Sequence, residues 1–275
     1  MKSKSKNLKW TICLGGLVAP WLLASASLPA VAQLNLEQVI TLPTLNGTTP
    51  SVLGGFDISW VDPTSHTYAL AASRLFCTTQ PQPHACDAIG LASQPGILTI
   101  NTQTKAPTLL AVGQTAKFPF AGNCPAPAVG QSGPNGLVII GNQIWVGDAP
   151  IHTPACTGPI TTSSSVKVLD FSGNFVTPPI LTGGQARADE LCYNPFTNTV
   201  LVANDEPIDN FITFISAETY KVLGTIKFDG TDKKGNNILA NGIEQCAFNP
   251  RDKKFYLNIP ATVVGTPPAP AQASS

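Results

Sequence analysis

The chain has 275 residues, of which 12% are charged, with 16 Lys+Arg balanced by 16 Asp+Glu, and it carries 25 Pro, 23 Gly and a single Met. No basic excess marks a nucleic-acid footprint, and no sustained 3.6-residue periodicity marks a helical bundle. Short apolar or alternating runs bounded by Gly, Pro, Asn and Asp recur throughout, which predicts an all-β fold.

The first element is a leader. Lys2, Lys4, Lys6 and Lys9 precede an apolar run from Trp10 to about Ala24, and Pro29-Ala30-Val31-Ala32 follows. This order of charged, apolar and small residues predicts a Sec signal peptide over 1–32, cleaved after Ala32, and export to a periplasm or the cell exterior. The apolar run is interrupted by Pro20 and falls short of the roughly 20 residues a spanning helix needs, so no membrane span is expected after cleavage. Removing the leader takes four lysines and no acid, leaving a formal charge of −4.

Cys13 leaves with the leader. Cys77, Cys86, Cys124, Cys156, Cys192 and Cys246 remain, an even number in an oxidising compartment, which predicts three disulfides. Cys77 with Cys86 closes a short Pro-containing span, Cys124 and Cys156 flank insertions, and Cys192 and Cys246 sit on first strands of adjacent repeats; these are the expected pairings. No Cys-x-x-Cys occurs, and His66, His84 and His152 are scattered, so neither a zinc site nor a haem attachment is expected. No Gly-x-Ser-x-Gly elbow is present either.

Four hairpins follow in chain order. The first is Gly55–Pro63 returning through Thr67–Ala71, and the second is Pro134–Ile140 returning through Ile144–Asp148. The third is Ala188–Pro195 returning through Thr199–Asp205, and the fourth is Gly242–Pro250 returning through Phe255–Asn258. The last three start 54 residues apart, whereas 79 residues separate the first two. After each of the first three comes another strand pair: Gly96–Ile100 with Pro107–Val112, Ser165–Phe171 with Phe175–Ile180, and Phe211–Ile215 with Lys221–Phe228. Each repeat is then a four-stranded antiparallel meander, the unit of a β-propeller blade. The fourth lacks its outer strands and runs into Val263-Val264 and a Pro/Ala/Ser-rich tail over 265–275. Leu36–Leu42 reads as an outer strand that could complete it. The expected domain is therefore a β-propeller over 33–264 with about four repeats, the last incomplete.

The stretch Glu190-Leu-Cys-Tyr-Asn-Pro-Phe-Thr-Asn-Thr-Val-Leu-Val-Ala-Asn-Asp-Glu-Pro207, followed by Asn210-Phe-Ile-Thr-Phe-Ile-Ser-Ala-Glu-Thr219, resembles the secreted YVTN-type propellers, related in pattern to NHL and gluconolactonase-like propellers. Its Asn-Pro turns and outer-strand pattern are structural motifs. The resemblance implies a fold, and a function only at the level of analogy.

Aligning the repeats on their turns puts Asp57, Asp189 and Glu244 in one column, with Asn135 near it. Converging carboxylates and an amide oxygen suit a hard divalent cation such as calcium, and the gluconolactonase resemblance implies a metal at comparable places. The same column also arises if these groups simply satisfy channel-mouth backbone groups. A second column, Asp148, Asn204 with Asp205, and Asn258, ends the second strands, where Asn and Asp are ordinary turn formers. The sequence thus predicts a binding or scaffolding module for an unknown protein, glycan or small molecule, with a divalent-metal-dependent lactonase-like hydrolase as the alternative.

Overall fold

The computed structural model describes residues 38–44, 51–77, 94–112, 117–123, 132–152, 159–206, 209–228 and 238–264. The leader over 1–32, the tail over 265–275, His84, Cys86, Cys124 and Cys156 lie outside them. All strands belong to the compact unit Ile40–Ser275. Among the described residues there is no α-helix.

The first sheet holds β1 (Ser51–Gly55), β2 (Ser59–Asp62), β3 (Thr67–Cys77), β4 (Gln94–Asn101) and β5 (Pro107–Leu110), in the order β1-β3-β4-β5 with β2 also on β3. A short ribbon, β6 (Gly122–Asn123) with β7 (Ser132–Gly133), follows. The second sheet is a meander of β8 (Leu137–Ile140), β9 (Gln143–Asp148), β10 (Ser165–Asp170) and β11 (Ile180–Leu181). The third is a meander of β12 (Arg187–Asn194), β13 (Thr199–Asp205), β14 (Phe211–Ser216) and β15 (Val222–Lys227). Then β16 (Ile238–Asn241) pairs with β19 (Ala261–Val264), bracketing the hairpin of β17 (Cys246–Asn249) and β18 (Lys254–Leu257).

The fold is an all-β propeller of antiparallel blades whose last blade is incomplete. Its inner strands follow one another in space, β2 against β8, β8 and β9 against β12, and β12 against β17. Several details differ from the sequence reading, among them strand β1 on β3 and the β6–β7 ribbon, neither of which was expected. The expected outer strand Phe175–Ile180 is reduced to a bridge at Phe175 and the two-residue β11, because Pro178 and Pro179 have no N–H to offer a ladder. Residues 38–44 form no strand. The β16–β19 pairing was not foreseen, since its partners stand on either side of a whole hairpin.

In the second and third sheets, burial on both faces of β8, β9, β12 and β13 explains their near-continuous apolar character. Along β8, Leu137 and Ile139 face the first sheet while Val138 faces the third, and along β9 Ile144 and Val146 face the first while Trp145 faces the third. In β13, Val200 and Val202 pack on the second sheet, and Leu201 and Ala203 on the fourth. The period of two in a strand thus joins the second and third blades each to two neighbours. Trp145 stacks on Tyr220 at 5.6 Å between ring centres, and Gln143 joins them by accepting from the indole Nε1 and donating to the Tyr220 hydroxyl.

The hairpin turns repeat the same chemistry. Asp62, Asn194 and Asn249 each accept backbone N–H bonds from the turn that follows, from Ser65, Phe196 and Arg251 at 2.9, 2.9 and 3.0 Å. His66, Asn198 and Lys253 each hold positive φ four places after that residue. A side-chain oxygen closing an Asx-type turn, with the next residue Pro, is why the Asn/Asp-Pro signal marks these hairpins. Cys192 and Cys246 form the expected disulfide, with Cα atoms 5.8 Å apart, tying the third blade to the fourth. Each of the other expected bridges includes a cysteine outside the described residues.

Asp148 of the second column proves structural. It is fully buried, takes the N–H of Ala121 at 3.1 Å, and is ion-paired with buried Lys167. Lys167 also donates to the Pro119 carbonyl and lies 4.9 Å from the Phe120 ring centre. The pair fastens the 117–123 segment onto the second blade, and no local pattern marks Lys167 on β10 as the counter-ion. Among the described residues no helix is long and apolar enough to cross a membrane.

Candidate functional site

The site grows out of an irregularity at the start of β12. Arg187 faces Asp205 and Ala188 faces Asn204, but the next pair is Leu191 with Val202. Two residues, Asp189 and Glu190, therefore stand opposite one, Ala203, which is a β-bulge. In a regular strand successive side chains leave by opposite faces. The bulge suspends that rule, and both carboxyl groups come together with Asp57 of the segment between β1 and β2.

One carboxylate oxygen from each of Asp57, Asp189 and Glu190 lies within 4.8 Å of the others. The second blade supports the bulge from beside it. Gly136 donates its N–H to the Asp189 carbonyl at 3.0 Å, and the Asn135 amide donates to the Ala188 carbonyl at 3.1 Å. Gly136 has to be glycine, because a Cβ there would lie 2.3 Å from the Asp189 carbonyl oxygen and 2.7 Å from the Glu190 Cα.

Arg187 balances part of the charge. Its Nη2 lies 3.0 Å from Asp189 Oδ2 and 2.7 Å from Asp205 Oδ2, and Nε donates to the same Asp205 oxygen at 3.2 Å. Asp189 Oδ1, in contrast, is buried with no hydrogen-bond partner among the described residues. A buried acceptor left unmatched costs about 1–3 kcal/mol, so a partner for Oδ1 is the missing feature of this site.

Burial dominates the acid-base properties. It pushes Asp189 up to about 7, against the lowering effect of Arg187 and with further raising from Asp57, Asp205 and Glu244. It pushes Glu190 up to about 8, reinforced by Asp189, Asp57 and Glu244. Asp57 is raised by burial too, partly offset by Arg187. Burial disfavours the charged Arg187, yet Asp189, Asp205 and Asp57 hold its pKa above the usual value.

Of the four residues expected to form a cation site, Asp57 and Asp189 are brought together. Glu244 is close enough to raise both electrostatically but its carboxylate is not in the 4.8 Å group. Asn135 sits beside the site as a backbone brace. Glu190 and Arg187 were missed, because alternation assigns Glu190 to the opposite face and an Arg two places from an Asp reads as an ordinary solvated pair. His66 occupies an exposed hairpin turn, and His152 bridges to Ile160. A largely apolar cavity of about 360 Å³, walled by Phe118, Pro119, Ile151, Pro179 and Leu181, includes none of the acidic residues.

No protein-family model matches the chain, and no curated protein matches it by sequence. Solved structures resemble it in architecture. A gluconolactonase from Xanthomonas campestris is 18% identical, with 74% of this chain and 62% of that one covered and a TM-score of 0.41. A luciferin-regenerating enzyme is 8% identical, covering 67% and 68%, with a TM-score of 0.32. A eukaryotic initiation factor is 13% identical, covering 72% and 47%, with a TM-score of 0.31. The chain thus spans less than two thirds of the length of the gluconolactonase, and at these scores the likenesses carry no chemistry.

Proposed function

We propose that the chain is an exported β-propeller that holds a divalent cation at Asp57, Asp189 and Glu190 and uses the loaded site to bind an oxygen-rich small molecule or glycan. One observation carries this reading: three carboxylates from two blades converge within 4.8 Å, and one of their oxygens, Asp189 Oδ1, is buried without a partner among the described residues. Oxygen donors of this kind suit calcium or another hard cation, which takes six to eight oxygens from carboxylates, carbonyls, water and ligand. Three protein carboxylates leave positions for ligand hydroxyls. Held there, the cation would remove the mutual repulsion of the acids and give Oδ1 its partner.

A second reading is favoured by Glu190, whose pKa of about 8 suits a group that gives or takes a proton near neutrality. With a Lewis-acidic cation alongside, that would make the site a lactonase-like hydrolase.

The test is thermal unfolding of the disulfide-intact chain from residue 33, first in EDTA and then with calcium, magnesium and zinc in turn. Ligand binding to the native state raises Tm. A rise of several degrees with one cation, lost in Asp189→Ala, is expected, and a lactone and ester screen of the loaded protein then separates hydrolase from binder. No rise with any cation sinks the cation site and leaves a cation-free binding module.

A further inference from the structure

Arg187 is placed as few surface arginines are. Its side chain is one-quarter exposed, whereas the Asp189 side chain beside it is 4% exposed. Nε and Nη2 both reach Oδ2 of Asp205, whose side chain is 22% exposed, and Nη2 also reaches back to Asp189 Oδ2. The side chain is thus moored to Asp205 at the rim and extends one donor into the acidic group. Asp189, Asp205 and Asp57 act on it electrostatically, it lowers Glu190 in turn, and Glu244 acts on the same acids, so among the described residues Arg187 is the cation ion-paired with this acidic group.

We propose that Arg187 is the site's internal counter-ion, a tethered positive charge that occupies Asp189 Oδ2 when no metal is bound and sets how tightly a divalent cation is held. The inference rests on the cation reading above and deepens it to regulation of the same site. A like charge beside a bound cation opposes it, and at the reduced dielectric of a partly buried site that opposition is large. Asp205 keeps the guanidinium within reach whether or not the inner contact is made. Without Arg187, Asp189 and Asp205 lose the counter-charge they pair with and the cation-free site becomes self-repelling.

The experiment uses calcium as the probe, by calorimetric titration and by Tm in EDTA and in calcium, on the wild type, Arg187→Met and Arg187→Lys. Arg187→Met is expected to lower Tm in EDTA, to bind calcium at least about tenfold more tightly, and to gain a larger Tm rise on loading. Arg187→Lys keeps the charge and is expected to stay near the wild-type affinity. Equal affinity in the wild type and Arg187→Met overturns the counter-ion role while the cation site stands. Calcium binding by Arg187→Met alone overturns the proposed resident cation and upholds the counter-ion. Binding by neither overturns both. If Arg187→Met fails to fold in EDTA, recovery of its native circular dichroism on adding calcium supports the inference, and failure to recover overturns it by reducing Arg187 to a structural tie.

Discussion

Asp189 uses its two carboxylate oxygens differently, Oδ2 against Arg187 and Oδ1 with no hydrogen-bond partner among the described residues. Its raised pKa, with that of Glu190, fixes a sign for the pH dependence of stability. A carboxyl whose folded pKa exceeds its unfolded value binds the proton more tightly when folded, so its contribution is full below about pH 4 and is lost as pH rises through about 7 for Asp189 and about 8 for Glu190. In EDTA, Tm should therefore fall between pH 5 and pH 8, and Glu190→Gln should flatten part of that slope. Saturating cation should reverse the trend, because deprotonated carboxylates are the ligands. A metal-free Tm that climbs over this interval would show that the two acids are not protonated on folding. At this scale the sequence was half legible. Asp57 and Asp189 were visible as repeat-equivalent acids, but the partners of a side chain depend on register, which one strand alone does not reveal.

The hairpins were legible as elements because each writes its own turn: Asp62-Pro63, Asn194-Pro195 and Asn249-Pro250 supply the oxygen and the fixed φ locally. The bulge at Asp189 and Glu190 was not, since it exists only relative to Ala203 on β13. Its support comes from another blade, and that support is testable. Gly136→Ala forces a Cβ onto the Asp189 carbonyl and the Glu190 Cα, backbone atoms that cannot turn aside. A destabilisation of about 1–3 kcal/mol and loss of cation-dependent stabilisation are expected by denaturant unfolding with and without calcium. Gly141 is the control, because nothing lies within 4 Å of its Cβ position; although its positive φ adds strain, Gly141→Ala should leave the cation response intact.

Across the whole molecule, burial records which blade has a neighbour. Counting back from the turn, Cys192 with Leu201 in the third blade and Ala247 with Tyr256 in the fourth are equivalent pairs. Leu201 is 1% exposed because the fourth blade covers it, whereas Tyr256 is 54% exposed. Leu201→Ala should cost about 2–5 kcal/mol, while Tyr256→Ser should stay within about 0.5 kcal/mol, as read by denaturant unfolding. A comparable loss at both positions would mean that the two faces are equally packed in solution. The order of the four hairpin-bearing repeats along the chain followed from the recurring turn pattern, and the 54-residue spacing related the last three. The ribbon of β16 with β19 did not, because sequence-distant strands carry no local mark of their partner.

The bulge in β12 has a consequence for how such a site arises. A single added residue shifts the two-face frame of a strand, so that neighbouring side chains share a side they would otherwise divide, while the blade beyond Leu191 keeps its packing. One codon gained or lost at this spot would switch a plain structural blade into a carboxylate-bearing one, or back. Chemistry on this scaffold is thereby separable from its architecture, and can be acquired or discarded without renegotiating the hydrophobic seams between blades.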